Sequence, residues 1–281
     1  MNVWLVGSGY WGSKVVTALN ELGVNANIID IKNNQTIDMI NNKDPVILAT
    51  PLWEHYKQAK QIIANGNPLY IEKPAAETAN EIEDLIDLAG NQIVMVGHIF
   101  MHNPLFHVLK GLDLGEIKFV HSERTNLGIY QTKTSPLLSL APHDFSIVLG
   151  LLGNVSITHV QNYNFTNNNY PDRTIIFGKN FQIDVSWLDI NRRRVVTVIG
   201  SKAHAIWDED LKTVVVKLVT IENNRLKIEE AETYKYPTDK EPLYYELEHF
   251  INCVQTSTKP TTNLKQALAI AKLIDYAHNN Y

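Results

Sequence analysis

The sequence predicts an α/β domain with a parallel, doubly wound sheet, followed by an α+β domain built on a mostly antiparallel open sheet. Three observations predict it. Short apolar runs alternate with helix-length amphipathic segments over the first third, β-rich segments dominate after about residue 116, and helical patterns return at the end of the chain. With 281 residues and 44% hydrophobic side chains, the chain can fill a core in each of two domains, expected at 1–117 and 118–281.

Residues 3–6, 26–29, 46–49, 69–71 and 93–96 read as strands, and helical patterns begin near Tyr10, Gln35, Trp53 and Thr78. This alternation buries a parallel sheet through right-handed crossovers. Gly23 stands where the first helix wants a left-handed cap, and Thr78-x-x-Glu81 has the form of a capping box. Farther on, residues 118–124, 155–163, 174–177, 181–187, 195–199 and 213–219 carry strand character, with helices expected over 142–152, 243–254 and 264–277. Arg192, Arg193 and Arg194, after Asp189 and Asn191, read as a solvated hairpin turn, and 167–169 as a local turn cluster.

Composition excludes several function classes. A net charge of −5 does not suggest the electropositive surface that nucleic acid requires. The single cysteine, Cys253, can form no internal disulfide and reads as a free core thiol. No basic leader follows Met1, and no run of about 18 apolar residues occurs. The expectation is a cytoplasmic protein with no membrane partner. His98 and His102 have a ligand-like spacing, but no nearby acid or third histidine completes a set, so no metal is expected.

Gly7-Ser8-Gly9-Tyr10-Trp11-Gly12 follows the first strand and opens the first helix, the context in which G-x-G-x-x-G signifies a dinucleotide-binding Rossmann domain. Gly7 permits the turn, Gly9 admits a pyrophosphate, and Gly12 lets helix and strand pack; a plain glycine turn is the competing reading. Asp30 ends the second strand 18 residues after Gly12 and can accept hydrogen bonds from ribose hydroxyls, favouring NAD. Lys32 nearby leaves NADP open, as an exposed loop aspartate is open for Asp30. Thr50-Pro51 and Glu72-Lys73-Pro74 close the third and fourth strands. Lysine at a strand's carboxyl end would stand beside a nicotinamide, whose positive charge, with desolvation, would lower its pKa toward proton-relay range. A solvated loop lysine is the alternative. His143-Asp144 follows Ala141-Pro142 at a helix start, and the residues alone read equally as a structural or a catalytic histidine, with Asp144 as a first-turn acid.

Together these motifs resemble the Gfo/Idh/MocA oxidoreductases. The likeness takes in the opening glycines, Thr50-Pro51 to His55, Glu72-Lys73-Pro74, Val96-Gly97-His98 and Asn103-Pro104. Arg124-Thr125-Asn126-Leu127-Gly128, Leu140-Ala141-Pro142-His143-Asp144, Val198-Ile199-Gly200-Ser201-Lys202, Glu241-Pro242-Leu243 and His249-Phe250-Ile251 resemble a bacterial subgroup similar to sugar-nucleotide dehydrogenases. One departure is Ser139, where the family commonly has an aspartate four residues before the histidine.

The resemblance implies an NAD(P)-dependent dehydrogenase acting on a sugar or sugar-nucleotide hydroxyl carbon, with Lys73 and His143 as the catalytic pair. Gly7, Gly9, Tyr10, Trp11, Gly12, Asp30, Thr50, Pro51, His55, Glu72 and Lys73 would bind cofactor, and His98, Arg124, Asn126, Tyr130 and Asp144 would bind substrate. A homo-oligomer, dimer or tetramer, formed through the second domain's sheet is also implied. The competing expectations are a cofactor-binding sensor or partner protein that has lost efficient chemistry, and a dehydrogenase of an inositol, a simple aldose or a dihydrodiol.

Overall fold

The computed structural model describes residues 1–30, 35–41, 43–127, 134–166, 169–223 and 225–280. In chain order the elements begin β1 (Asn2–Val6), α1 (Tyr10–Glu21), β2 (Asn25–Ile29), β3 (Val46–Leu48), α2 (Leu52–Ala64), β4 (Leu69–Glu72), α3 (Ala79–Ala89) and β5 (Val94–Gly97). Next come α4 (Pro104–Gly111), β6 (Ile117–Leu127), α5 (Pro136–Ser139), α6 (Ala141–Leu152), β7 (Ile157–Tyr163), β8 (Arg173–Gly178), β9 (Phe181–Ser186) and β10 (Leu188–Gly200). The chain closes with β11 (Ala203–Asp208), β12 (Thr213–Glu222), β13 (Arg225–Lys235), α7 (Pro242–Thr256) and α8 (Leu264–Asn279).

Two compact units result, Met1–His102 with Asp239–Lys272, and Asn103–Thr238 with Leu273–Tyr281. They are not the consecutive stretches 1–117 and 118–281: residues 103–117 lie in the second unit, and α7 with the start of α8 lies in the first.

In the first unit the described strands pair in parallel in the order β2-β1-β3-β4-β5. β3, β4 and β5 are buried along their length, as strands covered on both faces must be. On one face Leu48, Ile71 and Val96 pack with Ile62, Leu85 and Leu264. On the other, Leu5, Ile47 and Tyr70 pack with Val15 and Leu19 of α1 and with Leu247 and Phe250 of α7. A helix about 10 Å across cannot cover a five-stranded sheet about 20 Å wide. The C-terminal helix α7 therefore completes the layer that α1 begins.

Local signals hold where their chemistry is specific. Gly23, at φ +68°, follows α1 and donates its N–H to Asn20 O at 3.0 Å. The Thr78 side chain accepts from Glu81 N–H while the Glu81 carboxylate accepts from Thr78 N–H, both halves of a capping box. The helix expected from about Gln35 is instead a single 3-10 turn at Ile37–Met39. Lys43, at φ 92°, and Pro45 follow within a few residues, and both oppose continued helical hydrogen bonding.

The second unit holds a sheet of order β13-β12-β11-β10-β6-β9-β8-β7, antiparallel except for the parallel β6–β9 pair. Phe145 of α6 meets Phe181 of β9 edge to face at 6.3 Å. Arg192, Arg193 and Arg194 form no hairpin turn. They lie within β10, where Arg193 and Arg194 pair in register with Thr125 and Arg124 across a bulge, and Arg192 is forked onto Asp210. Among the described residues no helix is long and apolar enough to cross a membrane.

Thr78→Ala should lower unfolding stability by about 1 kcal/mol through loss of the capping box. Denaturant unfolding checks this, and no change would mean that the box carries no stability.

Candidate functional site

Parallel pairing sets the carboxyl ends of β1 to β5 along one edge of the first sheet. Gly7, Asp30, Thr50, Glu72 with Lys73, and Gly97 with His98 all stand on that edge. Ligands of open α/β sheets bind there, at the switch point between β1 and β3.

The three glycines differ in what requires them. A Cβ on Gly7, at φ +103°, would stand 2.6 Å from Ala49 O, and one on Gly12 would stand 2.2 Å from Gly7 O. Both obstacles are backbone. A Cβ on Gly9 would meet nothing within 4 Å, so nothing in the chain requires glycine at that position. Gly9 caps α1 without a side-chain hydrogen bond, and no acid occupies the helix's first turn. Unpaired helix N–H groups beside bare space fit a pyrophosphate. Tyr10 begins α1 exposed, whereas Trp11 turns its indole N–H to the Glu72 carboxylate.

Asp30 follows β2 and accepts a short hydrogen bond from the Ser8 hydroxyl, while its N–H donates to Gln35 Oε1 at 2.9 Å. The carboxylate is thereby held at the glycine turn, where it suits ribose hydroxyls and repels a 2′-phosphate. Lys32 and Tyr130 lie outside the described residues, as does Gly128.

Thr50 Oγ1 donates to Gln58 Oε1 at 2.7 Å. His55, buried in α2, lies between two carbonyls, with Nδ1 2.7 Å from Pro74 O and Nε2 2.8 Å from Thr50 O. Burial lowers its pKa against the opposing pull of those carbonyls. Both ring nitrogens face backbone, so His55 ties the end of β3 to the turn after Lys73. The Lys73–Pro74 peptide is cis.

His98 is 3% exposed, and neither ring nitrogen has a hydrogen-bond partner in the protein. Burial first, and the Lys73 charge second, push its pKa down to about 3. It is a neutral imidazole at ordinary pH, with one donor and one acceptor unused. Glu72 is also buried; burial raises its pKa, and hydrogen bonds from Trp11 and Tyr70, with the Lys73 charge, oppose the rise.

Sequence reasoning missed Ser8, Gln58, Tyr70 and Glu246 here. The Tyr70 hydroxyl lies within hydrogen-bond distance of both Glu72 and Glu246. A signal for Glu246 existed: an acid stands between Leu243 and Phe250 on the apolar stripe of α7, where an apolar residue is expected.

In the second unit His143 is half-buried in the first turn of α6, its N–H donating to Leu140 O at 3.0 Å. Its neighbour Asp144 is fully buried and accepts from Ser122 Oγ at 2.7 Å and from Arg124 Nε at 3.0 Å. Arg124 also donates through Nη2 to Glu209 Oε1 at 2.9 Å. Burial works against the Arg124 charge, but Asp144 and Glu209 outweigh it and raise its pKa. Burial raises the pKa of Glu209, with Arg124 opposing. Arg124, expected with Asp144 at the substrate, thus bridges Asp144 and Glu209, which fixes the turn carrying His143. Asn126 lies half-buried on β6, and Ser139 ends α5. Among the described residues no group of three or more His, Cys, Asp or Glu could hold a metal ion.

Residues 27–100 match the model of the Gfo/Idh/MocA oxidoreductase family, described as an NAD-binding Rossmann fold. Inositol 2-dehydrogenase 1 of Saccharopolyspora erythraea is 30% identical over 127 residues, 41% of this chain and 38% of that protein. The match thus spans under half the length of this curated relative. Two solved structures share the fold across nearly the whole chain. UDP-N-acetylglucosamine 3-dehydrogenase from Acidithiobacillus ferrooxidans has a TM-score of 0.81 at 16% identity, covering 99% of this chain and 96% of its own. An Agrobacterium radiobacter oxidoreductase, solved with NAD+, L-tartaric acid and magnesium, has a TM-score of 0.82 at 14% identity, covering 99% and 95%.

Gly9→Ala should cost under about 1 kcal/mol of stability yet weaken NAD binding about tenfold or more, whereas Gly12→Ala should disturb the fold itself. Calorimetric titration beside thermal melting checks this, and unchanged NAD affinity in Gly9→Ala would remove the pyrophosphate from that space. A second outcome concerns acid. Because the His98 pKa in the fold, about 3, lies below its ordinary 6.5, the unfolded chain takes the proton first, and stability falls as pH drops through that window. His98→Gln should flatten this acid limb in a pH series of denaturation midpoints; an unaltered limb would contradict a buried neutral imidazole.

Proposed function

We propose that this chain, whose residues 27–100 match the model of the Gfo/Idh/MocA oxidoreductase family, transfers a hydride between a hydroxyl carbon of a sugar or sugar nucleotide and a nicotinamide dinucleotide, NAD in preference to NADP. The observation that carries this reading is Lys73 on the same sheet edge as the bare space at Gly9. One site on that edge can then serve both the dinucleotide and the reacting oxygen.

The residues present fit the dinucleotide. Gly9 and the α1 N-terminus would hold the pyrophosphate, Asp30 the adenosine ribose, and Thr50 with Pro51 the strand end beside them. When bound, the nicotinamide accepts or returns the hydride. Lys73 donates a hydrogen bond to the reacting oxygen and stabilises the charge that develops on it. His98 lies buried beside Lys73 as a neutral imidazole and adds no second positive charge there. For proton exchange the second unit offers His143, in a helix turn anchored by Asp144 on the buried Arg124, which also pairs with Glu209. Asn126 is proposed as a substrate-binding residue of the second unit. The sugar class is supported by the dehydrogenases to which the chain is similar. We place the enzyme in the cytoplasm as a homo-oligomer, supported by its lone buried cysteine and by the family likeness.

Purified protein with NAD should oxidise at least one member of a panel of nucleotide sugars, aldoses and inositols. Lys73→Ala should lower kcat by roughly 100- to 10,000-fold with the cofactor dissociation constant nearly unchanged. No turnover across the panel with either dinucleotide would overturn the dehydrogenase reading in favour of a cofactor-binding sensor.

A further inference from the structure

Three polar side chains from β4 and α7 lie together in the core of the first unit. Tyr70 and Glu246 are fully buried, and Glu72 is 8% exposed. The Tyr70 hydroxyl oxygen is 2.9 Å from Glu72 Oε1 and 3.0 Å from Glu246 Oε2. A phenol has one proton and can donate to only one of them. If both carboxyls were ionised, the remaining contact would oppose two lone pairs, and two negative charges would be held out of water.

The surroundings decide which carboxyl carries the proton. Glu72 receives the Trp11 indole N–H, the Lys73 backbone N–H and the field of the Lys73 ammonium. Glu246 has an apolar setting: its Oε1 lacks any partner, and Phe250 of its own helix packs edge-on against Tyr70 at 5.9 Å. β5 leaves room for the group. A Cβ on Gly97 would stand 2.5 Å from the Tyr70 hydroxyl oxygen and 3.1 Å from Glu72 Oε2. Burial foremost, with the Glu72 charge acting in the same sense, raises the Glu246 pKa well above the carboxylate range.

We propose that Glu72 and Glu246 hold one proton between them across Tyr70: Glu246 donates to Tyr70, Tyr70 donates to Glu72, and the chain presents a single negative charge to Lys73. Tyr70 and Glu246 are then positioning residues, a role that rests on the reading of Lys73 as catalytic. The groups facing the pair are Tyr70 from β4, Trp11 from α1 and Lys73; His98, beyond β5, senses the Lys73 charge and is itself neutral. The arrangement gives the Lys73 ammonium one compensating charge, where two ionised carboxyls would place a net negative charge beside the reacting oxygen.

Glu246→Gln tests this, because its amide can donate to Tyr70 and cannot titrate. In the infrared, wild-type protein at neutral pH should show a protonated-carboxyl C=O band that Glu246→Gln loses and Glu72→Gln keeps. The folded state holds a proton that the unfolded chain releases above the ordinary glutamate range, so the contribution of this pair to stability should fall as pH rises from about 5 toward 8, opposite in sign to that of His98 and read from the difference between wild type and variant. Glu246→Gln lacks that loss, and its melting temperature should gain on wild type by roughly 3 °C or more across the window. Should the amide variant fail to fold, Glu246→Leu supplies the same comparison. Wild type without the band, a band that survives replacement of Glu246, or a melting difference independent of pH overturns the proposal. None of these readouts requires turnover, so an inactive but spectroscopically conforming protein would reject only the dehydrogenase reading.

Discussion

A single methyl group on Gly12 would stand 2.2 Å from the carbonyl oxygen of Gly7. That close approach of α1 to the end of β1 is the constraint on which the first unit depends. It aims the helix start at the sheet's carboxyl edge, and it brings Ser8 to Asp30 and Trp11 to Glu72. The bare space at Gly9 is the counterpart: the turn is tight where protein meets protein and open where an anion would lie.

The same edge collects groups whose charges are set by burial. His98 is held neutral, Glu72 is held among donors, and Lys73 stands beside both. The chemistry proposed for Lys73 therefore rests on core packing as much as on a loop. Glu246 reaches the group from α7, far along the chain, because a five-stranded parallel sheet needs more cover than α1 provides. In the second unit a comparable device holds the α6 turn, with Arg124 between two buried carboxylates.

Most of the first unit was legible in the sequence because its signals are local. The glycine spacing, Gly23, the capping box at Thr78 and the apolar runs each act within a few residues, and each stands where the pattern places it. The helix read from Gln35 failed on equally local grounds, in Lys43 and Pro45. The site was legible only where a motif names a strand end. Tyr70, Gln58 and Glu246 acquire meaning from contacts between elements distant in sequence, which no periodicity reports. Arg192 to Arg194 misled because three successive charges look like a solvated turn, whereas β10 pairs Arg193 and Arg194 with β6, and Arg192 and Arg193 meet acids across the sheet. Arg124 and Asp144 were visible as polar residues in motifs, but their engagement with Glu209 depends on a strand pairing that the sequence does not display.

The most direct test of the nucleotide site is a comparison of NAD+ and NADP+ binding to the purified wild-type chain by calorimetric titration. With Asp30 held by Ser8 at the glycine turn, NAD+ should bind saturably and about tenfold or more tighter than NADP+. No binding of either dinucleotide, or tighter binding of NADP+, would contradict it.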